Sequence, residues 1–132
     1  MISDAIAVMR ASMNTRREAI VASAMDLTTP ESEAFWPLYR DYRTDMAKLD
    51  DGIIELIIVY AGSYNFLTDE MSAKFLADYL EIERALVETK TTYLRRFLEV
   101  LPATKVARFY QVDNRLDKKI QAELAVAIPL AR

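Results

Sequence analysis

From Phe35 onward the sequence sets apolar side chains at Tyr39, Tyr42, Met46, Leu49, Ile53, Leu56 and Tyr60, in steps that alternate between four and three. No strand can place those residues on one face, because strand side chains alternate with a period of two. A helix can, and the alternation is the seam by which one helix runs along another with knobs in holes. A helix of ~30 residues spans on the order of 45 Å, so the partner has to be a long helix too. The remainder of the composition agrees. Of 132 residues only two are glycine and four proline, which leaves little of the turn chemistry that sandwiches, barrels or βα units need at every connection, and 52% are apolar, enough for a core.

Four start signals divide the chain into four helices of a single all-α domain, spanning approximately 3–25, 30–61, 68–98 and 102–126. The first carries Ile6, Met9, Met13 and Ile20 at helical spacing, with Ser3 as its N-cap and Arg16 interrupting the stripe. The second starts with Thr29 as N-cap, Pro30 at the first helical position, and Glu31 and Glu33 facing the positive helix end. Pro37 lies inside it and predicts a kink or a broken first turn. Asp50-Asp51-Gly52 is a second weak point, but the seam stays in phase across it, so the helix continues. After Gly62 a short loop leads to Thr68, the N-cap of the third helix, and a connection this short makes the second and third helices antiparallel neighbours.

The third helix has two adjacent stripes: Phe75, Tyr79, Ile82, Leu86, Tyr93 and Phe97 on one, and Leu76, Leu80, Val87, Leu94 and Leu98 beside it. Together they make a face wide enough for two partners. Pro102 opens the fourth helix, in which Val106, Phe109, Leu116, Ile120 and Leu124 face inward until Pro129 ends it. Asp113 falls on this inward stripe. A carboxylate there needs a partner, and Arg95, Arg96 and Arg16 are the candidates for a structural ion pair.

Charge is unevenly spread over a net −3. Residues 27–62 hold three basic and seven acidic side chains, and residues 102–132 six and three, which predicts that the last helix lies against the acidic second one. An acidic chain is a poor nucleic-acid surface. The longest uncharged run, Leu56 to Thr68, is shorter than the roughly 20 residues a bilayer span needs, so stable membrane insertion is not expected. The opening MISDAIAVMR has neither a basic leader nor an apolar signal core, which fits a cytosolic protein or one whose signal has been removed.

The chemistry is sparse. There is no Cys and no His, which removes thiol nucleophiles, imidazole bases and the commonest transition-metal ligands. Carboxylates at Asp41/Asp45 and Asp78/Glu81 have the spacing of any solvated acidic face, Met9 and Met13 read as core packing rather than thioether ligands, and no Gly-rich phosphate loop occurs. The chain reads as a non-enzyme without cofactor or metal. What remains is surface: Trp36, Tyr64, Phe66 and Leu67 are hard to bury together in a thin hairpin, and are candidates for contact with other proteins.

One phrase is written twice. LTTPESEAF (27–35) and LTDEMSAKF (67–75) share Leu-Thr, a Ser at the sixth place and a final Phe, so Leu27-Thr28 and Leu67-Thr68 mark two equivalent helix starts. The doubled start resembles the twice-repeated LTxxQ signature of the Spy/CpxP family of periplasmic proteins. FWPLY (35–39), YNFLTDE (64–70), YLRRFLEVLPATKVARFYQ (93–111) and AIPL (127–130) extend the likeness to a less characterised branch of that group. Where the signature has Gln, this chain has Glu31 and Met71. The resemblance implies an exported, bent helical hairpin that forms a homodimer and binds unfolded envelope proteins without ATP, as part of an envelope stress response. The alternatives are a dedicated regulatory partner of a membrane sensor's periplasmic domain and a purely structural helical dimer.

Overall fold

The computed structural model describes residues 2–127, with side chains continuous over 15–126. Four helices follow one another: α1 (Ile2–Met25), α2 (Thr29–Gly62), α3 (Asp69–Val100) and α4 (Ala103–Ala127), with a 3-10 turn at Tyr64–Phe66 and no strand among the described residues. The all-α, four-helix expectation holds, and α2 and α3 form the long antiparallel hairpin. The calls on Ile6, Met9, Met13 and Pro129 fall outside the described side chains.

The helix ends follow from local chemistry. Thr28, rather than Thr29, is the N-cap of α2: its Oγ1 accepts from the backbone N–H of Glu31 at 3.3 Å, and the Glu31 carboxylate accepts from the Thr28 N–H at 2.9 Å. That reciprocal pair satisfies two donors a helix start leaves open, and it moves the helix one residue earlier than a simple Thr-Pro reading gives. Thr68 caps α3 with one such bond and no reciprocal partner, its Oγ1 accepting from the Met71 N–H at 3.1 Å. α1 stops where Asp26 turns into the left-handed region at φ 49°. Pro37 does not break α2, which runs unbroken from Thr29 to Gly62. Gly52 lies within this helix, where a Cβ would stand 3.2 Å from Ile82 Cδ1, so the missing side chain lets α3 come close.

The helices pack in two pairs, the α2–α3 hairpin and α1 with α4. They join at one end, the base, through one buried cluster: Val21 and Met25 of α1, Phe35, Leu38, Tyr39, Tyr42 and Met46 of α2, Tyr93 and Phe97 of α3, with Leu101, Val106 and Phe109 after them. Phe35, Phe97 and Phe109 are its centre, one from each of three helices, with ring centroids 4.8–5.4 Å apart. Tilted and edge-on ring pairs at these separations add to the area term. The first half of the α2 seam is therefore internal core. Beyond Met46 the cluster ends, and the rest of α2 and α3 continues as a two-helix arm.

Candidate functional site

Two places carry unusual chemistry, one in the base and one on the arm. In the base, Arg17 is only 3% exposed. Its Nη1 donates to Asp113 Oδ1 and its Nη2 to Asp117 Oδ1, both at 2.7 Å. Arg43 approaches from α2, donating to Asp113 Oδ2 at 3.1 Å and standing 3.5 Å from Asp117 Oδ1. Two guanidiniums and two carboxylates close on one another, a neutral quartet that ties α1, α2 and α4 together. Burial alone would lower the pKa of Arg17, but Asp113 and Asp117 more than offset it, so the guanidinium is held more firmly charged. Burial, with the nearby Asp113 charge, pushes the phenols of Tyr39 and Tyr42 well above their ordinary range. Both oxygens of Asp113 are engaged by guanidiniums. The arrangement is a clamp rather than an acid–base pair.

The sequence-predicted ion pair therefore exists at Asp113 with different cations. Arg16 is exposed, as are Arg95 and Arg96; Arg96 instead lies 5.0 Å from the Tyr93 ring centre. The inward face of α1 carries Arg17, Val21 and Met25 in steps of four, while Ile20 points partly to solvent. An apolar stripe drawn through Ile20 is rotated by one residue, which selects Arg16 in place of Arg17. The charge expectation also turns around at this contact, where α2 supplies the cation and α4 the anions. The expectation that the last helix lies against α2 is corrected as well: α4 runs along α1, and of its basic residues Lys105 reaches α2, 2.6 Å from Glu31.

The arm is built differently. Residues 53–61 are apolar except for Glu55, so that stretch of α2 is apolar almost all the way round. Such a helix is normally buried on every side. Here α3 covers one side only: Ile54 is buried, Ile53, Leu56, Ile57 and Ile58 are half-buried, and Val59 is 69% exposed. At the tip, Tyr60 stacks on Phe75 at 4.3 Å and meets Tyr64 edge-on at 6.4 Å. Phe66 is left 65% exposed. Tyr64 and Leu67, both half-buried, sit with Phe66 at this tip, as the sequence grouped them. Trp36 does not join them: it lies at the base, half-buried, edge-on to Phe35 at 4.9 Å and Tyr39 at 5.2 Å. Val59 was missed because it lies off the four-three seam.

Between the arm's helices runs a shallow groove of about 620 Å³, lined by Leu56, Val59 and Ile82 with three carboxylates, Glu55, Asp78 and Glu81, around them. Asp78 is held by Lys74 at 2.7 Å. Among the described residues no group of three or more His, Cys, Asp or Glu side chains is arranged to hold a metal ion, and no helix is long and apolar enough to cross a membrane.

Fold and site define a class: a helical protein with a packed base, a closed ionic clamp and an apolar arm. No family model, curated protein or solved structure matches the chain.

Proposed function

We propose that the chain is a non-enzymatic protein-binding protein, in which the α2–α3 arm holds unfolded or partly folded proteins by shifting apolar contacts and needs no nucleotide. The observation that carries this reading is the half-covered apolar stretch 53–61 together with the exposed Phe66 at its tip. Apolar surface left open on a folded arm is a contact surface, and contacts of this kind need no fixed register, so they suit many clients. The carboxylates of Glu55, Asp78 and Glu81 favour client segments that mix apolar and basic side chains, and keep the loaded arm soluble.

The cell envelope is the compartment we propose, with a role in envelope stress of the Spy/CpxP kind. Support comes from the doubled Leu-Thr phrase, whose Thr28 and Thr68 both act as helix caps. The test is light scattering from an aggregating client with increasing amounts of the protein, without nucleotide, repeated with an unrelated client. Suppression near stoichiometric ratios is expected, and replacing both Tyr64 and Phe66 with Ser should weaken it while helical content stays the same. No suppression with either client would overturn the reading. A single saturable partner, such as a sensor's periplasmic domain, would then be the better account.

A further inference from the structure

The ionic clamp decides what the outside of α4 carries. The helix has three carboxylates, and two of them, Asp113 and Asp117, are turned inward and held by Arg17 and Arg43 from other helices. Their charge is balanced without help from the cations of α4. Of those, Lys105 is engaged by Glu31. Arg108, Arg115, Lys118 and Lys119 are all exposed, and none of the four has an ion pair among the described residues. Glu123, the third carboxylate, is half-buried. The outward side of α4 is therefore basic on a chain that is acidic as a whole.

These cations are ordered. Arg108, Arg115, Lys119, Ala122 and Val126 are exposed and follow one another in steps of seven, four, three and four. At 3.6 residues per turn they lie within about 60° of arc, a nearly straight line along roughly 27 Å of helix, with Lys118 beside it. The line ends on Val126, which is 90% exposed. A polyanion in water offers cations a partner but offers that apolar side chain none. A lipid surface offers both, anionic headgroups for the cations and the acyl boundary beneath them for Val126. The same surface repels Glu55, Asp78 and Glu81, so the chain meets it by α4 and not by the arm.

We infer that the outward face of α4 attaches the protein to an anionic lipid surface, with Arg108, Arg115, Lys118 and Lys119 at the level of the headgroups. The attachment is peripheral, since no described helix is long and apolar enough to cross a membrane. Each cation brought to such a surface strengthens binding about fivefold, and salt weakens the attraction because the screening length is only about 10 Å at 0.1 M. The inference is independent of the client-binding reading: lipid meets α4, while clients meet α2 and the tip, so either can fail without the other.

Flotation with vesicles of mixed phosphatidylglycerol and phosphatidylcholine, set against phosphatidylcholine alone, tests it. The chain should float with the mixed vesicles only, and raising salt from about 0.05 M to about 0.5 M should weaken binding by about tenfold or more. Arg115→Glu combined with Lys119→Glu should lower the partition constant by about 100-fold or more, with unchanged helical circular dichroism. Lys48→Glu combined with Arg84→Glu makes the same change in net charge on exposed residues of α2 and α3, and should lower it by no more than about fivefold. Val126→Ser should weaken binding by about threefold. The inference is overturned if neutral vesicles bind the chain as well as anionic ones, or if the two double reversals weaken binding equally. It is overturned too if neither kind of vesicle binds, and binding of single-stranded DNA in that case would make the face a polyanion site instead.

Discussion

The two halves of the α2–α3 hairpin share one apolar spacing and have opposite fates. Near the base, Phe35, Tyr39, Tyr42 and Met46 face Tyr93 and Phe97 and are closed over by α1 and α4, so all of them are buried. Farther out, Ile53, Leu56 and Tyr60 continue the same seam against Ile82 and Phe75, yet only Ile54 of the arm is buried. Apolar content does not explain the difference. Two helices can each cover one face of the other, and the remaining faces need additional layers. The base has those layers and the arm does not, so apolar side chains stabilise the fold at one end and remain available for contacts at the other.

The sharpest way to break this comparison is to remove one ring from each region. Phe109→Ala, which empties the centre of the aromatic cluster, should cost about 3–5 kcal/mol in urea unfolding. Phe66→Ala at the tip should change stability by less than about 0.5 kcal/mol. Comparable losses at the two sites would mean that the arm helps hold the fold.

The clamp offers a contrast of the same kind. Arg17→Met leaves the buried Asp113 and the half-buried Asp117 with Arg43 as their only guanidinium, and should cost about 3 kcal/mol or more. Arg40 also pairs with a carboxylate, Glu18 at 3.2 Å, but both side chains are about half exposed or more. Arg40→Met should therefore cost at most about 1 kcal/mol. Denaturation midpoints for the two variants decide it, and equal shifts would remove the clamp from the account.

Alkaline pH probes the base more gently. Tyr39 and Tyr42 have phenols raised by burial above the unfolded value of about 10, so both states hold the proton below that pH and stability is unaffected there. Above it the unfolded chain ionises first, and stability should fall by up to about 1.4 kcal/mol per pH unit for each phenol. Urea unfolding between pH 8 and 11 should show the decline, and Tyr42→Phe should make it shallower. A flat profile would contradict the burial of these rings.

Much of this fold could be read in the sequence, because its signals are local. Thr28, Thr68 and Pro102 mark helix starts, and the four-three spacing from Phe35 required a long partner helix. The clamp was half legible. Asp113 on an apolar stripe announced a buried pair, but its partners lie 70 and 96 residues away, and adjacent basic residues at Arg16 and Arg17 differ only in which way α1 is turned. Composition grouped Tyr64, Phe66 and Leu67, and they share the tip. It grouped Trp36 with them only because exposure is a property of the third layer, which no local pattern reports.

The central claim is that the base holds the fold and the arm makes the contacts. Amide hydrogen exchange with and without a chemically unfolded client tests it most directly. The account predicts that the client slows exchange over residues 53–75, on the distal part of α2, the tip and the start of α3, and leaves 17–25 and 101–113 unchanged. Protection confined to α1 and α4, or no change anywhere while client is bound, would contradict it.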